Sequence, residues 1–142
     1  MTDRNITDLA PSMQILAQQF LDDCEAAHLN VKIIQTYRST AEQDALYQQG
    51  RTMPGKIVTH AQGGQSPHEC VNADGTPGSR AIDFGVFTAA GQYVTDGTDP
   101  RYRQVGEIGK KLGLDYGGDW PEPKTDHDHL EMPGWQNYMP SA

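Results

Sequence analysis

Asp83 stands inside the run Ala81-Ile82-Asp83-Phe84-Gly85-Val86, an apolar strand in which an unpaired carboxylate would be costly. A fold that buries this strand must bring the carboxylate a partner. Nearby backbone or Arg80 would serve as a plain partner. A metal is the stronger explanation once a histidine cluster is at hand. The chain offers one, with Ser66-Pro67-His68 upstream and Asp126-His127-Asp128-His129 downstream. Two histidines and Asp83 are enough to ligate one metal and leave a position open for water. Asp126, three residues before His129, is then a base to take the water's proton. An HxH pair points to one face when extended, so spacing alone does not settle which of His127 and His129 binds. Carboxylate and imidazole donors without thiolate favour zinc, with manganese or nickel also compatible.

Composition narrows the function classes. A chain of 142 residues, 36% hydrophobic, can bury a core within one domain, and fifteen Gly and nine Pro predict many loops. The net charge of −8 argues against non-specific nucleic-acid binding and offers no polybasic patch for a membrane surface. Cys24 and Cys70 make no disulfide framework and read as two reduced thiols. Cys70 lies two residues after His68, but a lone cysteine is weak evidence for ligation. The first residues lack an apolar core of signal-peptide length, and no run approaches a membrane span. The expectation is a protein made and kept in the cytoplasm unless something else releases it.

Periodicity predicts an amphipathic helix with Leu9, Met13, Leu16, Ala17, Phe20, Leu21, Cys24 and Ala27 on one face, Pro11 in its first turn and Asn30 at its end. Val31 to Tyr37 reads as a strand with Val31, Ile33, Gln35 and Tyr37 on one face. Ser39 to Gln43 offers overlapping capping boxes for a second helix ending at Gly50. Arg51 to Arg80 is long, without period, and carries His60 and His68, so a functional loop is expected. Ala81 to Phe87 is a strand, with Gln92 to Val94 a short partner. Asp99-Pro100 starts a third helix whose buried face is Tyr102, Val105, Ile108 and Leu112, with Gly113 at its end. Leu114 to Tyr116 and His129 to Met132 are the remaining short strands. The sum is an α+β fold, a small antiparallel sheet with helices packed on it, forming a single domain over residues 1–142.

Arg38 follows the first strand directly, and spacing alone ranks it as a solvent-facing charge or salt bridge above an oxyanion contact. The motifs taken in order, however, resemble a known family. The set is Thr36-Tyr37-Arg38-Ser39, Glu42-Gln43, Leu46-Tyr47, Gly50-Arg51-Thr52, Gly55 to Thr59, Ser66-Pro67-His68, Ala81-Ile82-Asp83, Gly117-Gly118-Asp119-Trp120 and Asp126-His127-Asp128-His129. It is similar to the VanY-like zinc peptidases, which include D-alanyl-D-alanine carboxypeptidases and dipeptidases and the L-alanyl-D-glutamate endopeptidases of phage endolysins. The endolysin branch fits best, and the likeness runs from about Leu9 to Met132.

The resemblance implies a hedgehog/D-Ala-D-Ala-peptidase-like fold and one zinc ion held by His68, Asp83 and His129. Asp126 is then the general base and Arg38 the oxyanion contact. Ser66 and Gln43 become substrate-binding or supporting residues, His60 a cleft-wall residue, His127 a neighbour of the site and Trp120 a packing residue beneath it. The implied substrate is the L-Ala-D-Glu bond of the peptidoglycan stem peptide, cut by a monomer that needs no membrane or nucleic acid and has no separate wall-binding domain. The rival readings are a D-Ala-D-Ala carboxypeptidase, a non-catalytic zinc domain binding cell wall or a protein, and a structural virion component. One departure stands out: His68 and Asp83 are fifteen residues apart, wider than the family's usual interval. The added stretch, Cys70 to Gly78, must loop out. Its Asn72 and Asp74-Gly75 faintly resemble a calcium loop, but the ligand positions of an EF-hand are missing and a plain turn is preferred.

Overall fold

The computed structural model describes residues 2–141. Helix α1 (Pro11–Ala26) opens on a proline whose missing N–H falls where a helix has no acceptor to offer. Met13, Ala17, Phe20 and Cys24 form its buried stripe, while Ala27 is exposed. His28, in the left-handed region at φ 60°, turns the chain, so Asn30 opens strand β1 (Asn30–Gln35) instead of closing the helix.

Strand β1 pairs antiparallel with β2 (Ala81–Phe87), setting Val31 opposite Val86 and Ile33 opposite Phe84. A bulge at Ile34 then sets Gln35 opposite Asp83. Directly paired residues share a sheet face, so the extra residue moves Gln35 off the face of Val31 and Ile33 and onto that of Asp83. Tyr37 lies beyond the strand. Strand alternation in β2 sends Ile82, Phe84 and Val86 into the core and Asp83 to the opposite face.

Helix α2 (Thr40–Gln48) starts at the Ser39–Glu42 capping box, and Gly50 follows it at φ 82°. Helix α3 (Pro100–Lys111) is capped by Asp99, whose carboxylate accepts from the Arg101 N–H. Its buried face is Tyr102, Val105, Gly106 and Gly109, whereas Ile108 and Leu112 pack half-buried at the core margin. The two glycines let α3 lie close to the sheet. A Cβ at Gly109 would sit 2.5 Å from Leu130 Cδ2, and one at Gly106 would strike the Tyr116 ring.

Strands β3 (Asp115–Tyr116) and β4 (His129–Glu131) complete an antiparallel sheet in the order β1-β2-β4-β3. Residues 92–94 add only one bridge, Phe87 to Tyr93. The core lies between the sheet and α1 with α3, centred on Phe84, whose ring is 5.7 Å from Phe20 and 5.8 Å from Tyr102. The architecture is the expected α+β one. Among the described residues no helix is long and apolar enough to cross a membrane.

Candidate metal centre

Three elements meet on the sheet face opposite the core. Asp83 and His129 are register partners across β2 and β4, so their side chains rise side by side. His68 arrives from a short 3-10 turn, Pro67–Glu69, which its own residues fix. The Ser66 hydroxyl accepts from the His68 N–H, and the Glu69 carboxylate accepts from the N–H groups of Ser66 and Gly64. The turn is tied to the sheet at both ends: Arg38 N–H donates to the His68 carbonyl (3.0 Å) and Arg80 N–H to that of Pro67 (3.1 Å).

Both imidazoles are oriented from behind. His68 Nδ1 lies 2.7 Å from the Thr36 carbonyl, which can only accept, so the proton sits on Nδ1 and Nε2 faces Asp83 Oδ1 at 3.3 Å. His129 Nε2 lies 2.8 Å from Glu131 Oε1, leaving Nδ1 to face the same Asp83 oxygen at 3.2 Å. A tetrahedral zinc with bonds of about 2.0–2.1 Å requires donors about 3.3–3.4 Å apart. The observed spacings and the N,N,O donor chemistry fit that ion.

The electrostatics point the same way. Burial alone would raise Asp83, but the two histidines packed against it, His68 and His129, hold its carboxyl well below the usual range. Burial alone would lower His129, but hydrogen bonds to Asp83 and Glu131 prevail and push it up to about 10. A cation between these donors would take the place of the His129 Nδ1 proton.

The other expected residues fall into distinct places. Asp126 Oδ2 lies 4.0 Å from His129 Nδ1, with its side chain 47% exposed at the cleft. Arg38 is held on the far side. It donates to Gln43 Oε1 (2.8 Å) and Gln35 Oε1 (3.3 Å), with Nη2 3.7 Å from Asp83 Oδ2. Gln43 is fully buried, and its amide also donates to the Ala61 carbonyl and the Thr59 hydroxyl. It is shut off from the cleft, with Arg38 between them. Trp120 packs against the His129 ring with centroids 5.2 Å apart. Ser66 and His60 line the same cleft of about 1080 Å³, together with Ile57, Val58 and Lys124. His127 instead lines a smaller cavity of about 230 Å³ with Tyr93, Thr95 and Gly97. That placement follows from the backbone, since β4 begins only at His129 and no extended HxH pair forms.

Cys70 is buried and directed at the C-terminal segment, its thiol donating to the Trp135 carbonyl (3.3 Å). Asp74 is engaged as a turn residue, its carboxylate accepting from the Thr76 N–H and hydroxyl. The 70–78 stretch is a hairpin closed by the Val71–Pro77 bridge.

Two carboxyl groups escaped the sequence reading. Glu131 shares the site face of β4 with His129, a signal that strand alternation carries. Asp128 lies beside Asp126 and Asp83, and its carboxyl is pushed up to about 9 by burial, then by the Asp83 charge and the Asp126 hydrogen bond.

Comparison with known proteins places the chain in a family. The VanY family, D-alanyl-D-alanine carboxypeptidase, matches residues 7–85. The peptidoglycan L-alanyl-D-glutamate endopeptidase CwlK of Bacillus subtilis (strain 168) is 38% identical over 137 aligned residues, taking in 89% of this chain and 74% of that one. Two solved structures share the fold at low identity. The Serratia marcescens L-Ala D-Glu endopeptidase ChiX has a TM-score of 0.59 at 14% identity, over 93% of this chain and 88% of its own. A mutant of the vancomycin resistance D,D-pentapeptidase VanY in complex with Zn(II) has a TM-score of 0.60 at 15% identity, over 90% and 74%. With a family match over more than half its length and a close relative along most of it, the chain belongs to the VanY-like family of peptidoglycan peptidases.

Proposed function

We propose that this chain is a zinc-dependent endopeptidase that hydrolyses the L-Ala-D-Glu bond of the peptidoglycan stem peptide, with residues 1–142 as one catalytic domain. One observation carries the reading. His68 Nε2 and His129 Nδ1 converge on Asp83 Oδ1 in an open cleft, with an exposed carboxylate 4.0 Å from the same His129 nitrogen. The activity named for the Bacillus subtilis relative supports the choice of bond.

Zinc held by His68, Asp83 and His129 would supply Lewis acidity, activating water and polarising the scissile carbonyl. Asp126 takes the proton of the attacking water and returns it to the departing amide nitrogen. Arg38, fixed by Gln35 and Gln43, donates to the oxyanion that develops on the carbonyl oxygen. Trp120 and the 66–69 turn keep the histidine rings from swinging. Ser66, His60, Ile57 and Val58 line the groove that takes the stem peptide. The enzyme works as a monomer, is made in the cytoplasm and acts on the wall after release, as an endolysin does.

A second reading, removal of the terminal D-Ala, is favoured by the description of the matching family. Mass spectrometry of purified muropeptides incubated with the zinc-loaded protein separates the two. Products split between L-Ala and D-Glu establish the endopeptidase, and loss of only a terminal D-Ala establishes the carboxypeptidase. Intact muropeptides with zinc bound would instead indicate a non-catalytic wall-binding domain.

A further inference from the structure

We infer that Glu131 is a positioning residue for His129: braced by Trp135, it dictates which ring nitrogen His129 turns toward Asp83. The inference rests on the proposed metal centre and concerns residues that the proposed mechanism does not use. An imidazole has two nearly equivalent ways to face a cation, and the partner of its other nitrogen decides between them. For His68 that partner is a backbone carbonyl, fixed by the fold. For His129 it is the side chain of Glu131, which must itself be held.

The structure holds it. Trp135 Nε1–H donates to Glu131 Oε2 at 2.7 Å, while Oε1 accepts from His129 Nε2 at 2.8 Å, so both carboxylate oxygens are engaged. The Glu131 side chain is only 12% exposed, so water competes little for either oxygen. Trp135 belongs to the C-terminal 3-10 turn Trp135–Tyr138, and that turn is anchored by the hairpin between His68 and Asp83. Val71 N–H donates to the Tyr138 carbonyl (2.9 Å), Cys70 Sγ–H donates to the Trp135 carbonyl, and the Arg80 guanidinium lies 3.3 Å from the centre of the Tyr138 ring. The stretch that widens the His68–Asp83 interval thus braces the segment whose indole fixes Glu131.

The test uses the full chain. Zinc dissociation constants come from chelator competition, and the His129 tautomer from long-range ¹H–¹⁵N NMR of the zinc-loaded protein, which needs no activity. Glu131→Ala is expected to weaken zinc binding about 10- to 100-fold and to abolish the Nε2–H preference of His129. Glu131→Gln keeps an acceptor for Nε2–H and is expected to recover about half of that loss on a logarithmic scale. Trp135→Phe, which removes only the indole N–H, should fall between wild type and Glu131→Ala. Unchanged affinity and tautomer in Glu131→Ala would overturn the inference, as would Trp135→Phe behaving like wild type. His68→Ala is the control: if it too leaves zinc affinity unchanged, the metal centre fails rather than the positioning role.

Discussion

At the scale of single residues, exposure sets Asp126 apart from the buried His68. The Asp126 side chain is 47% exposed and projects into the cleft, whereas the His68 side chain is 3% exposed and locked by the Thr36 carbonyl. Asp126→Ala is therefore expected to keep its zinc and fold while losing about 10²–10⁴-fold in kcat, the contribution of a positioned base. His68→Ala is expected to lose the metal outright. Zinc content by mass spectrometry, set beside turnover on muropeptides, checks both. Equal turnover in Asp126→Ala would remove it from the base role. Arg38→Ala should cost about 10²–10³-fold in kcat with zinc retained, as loss of one oxyanion donor does. Asp83 was legible in the sequence because an acid in an apolar strand demands a partner. Gln43 was legible only as a motif letter; in the fold it is buried and accepts a hydrogen bond from Arg38. Glu131 is invisible to histidine spacing; only the alternation of β4, two residues on from His129, sets it on the site face.

At the scale of elements, helix boundaries were readable wherever a cap or a proline marks them, as at Ser39, Asp99 and Pro11. The bulge at Ile34 was not, because no local residue announces it. It arises from the need to set Gln35 beside Asp83 while Ile33 stays in the core. The buried face of α3 was legible in part, at Tyr102 and Val105. Apolar periodicity selects Ile108 and Leu112, but the contact is made through Gly106 and Gly109, whose lack of a side chain is what brings the helix close. This yields a prediction against propensity. Alanine favours a helix over glycine by about 1 kcal/mol, yet Gly106→Ala should destabilise the fold by about 1–3 kcal/mol because its methyl would strike the Tyr116 ring. The urea midpoint measures it. The loss should extend to the site, since the Tyr116 hydroxyl donates to the His127 carbonyl at 2.7 Å and so helps hold the turn leading to His129. A Gly106→Ala protein at least as stable as wild type would show that α3 has room to move.

At the scale of the whole molecule, the core carries groups that must stay neutral for the fold to persist. Burial pushes the Cys24 thiol up to about 12 and the Cys70 thiol to about 11, from an ordinary 9.0. It likewise pushes the Tyr102 and Tyr116 phenols up to about 12, from 10.0. In each case the folded value lies above the unfolded one, so the fold binds the proton more tightly than the open chain does. The stabilisation is fully present below about pH 9 and is lost as pH rises through the folded values. Melting temperature should therefore stay nearly level from pH 7 to 9 and fall steeply toward pH 11. Below the fall, neither thiol should react with a thiol reagent at pH 8.5, although an ordinary cysteine is about a quarter thiolate there, and both should react once urea is added. Tyrosinate absorbance adds a timing criterion. Tyr102 and Tyr116 should ionise together with the loss of helical circular dichroism, because unfolding is what releases them to titrate. If both ionised near pH 10 with the helices intact, α3 would have to open away from β3 without global unfolding, and the sheet face carrying Asp83 and His129 would not depend on this core.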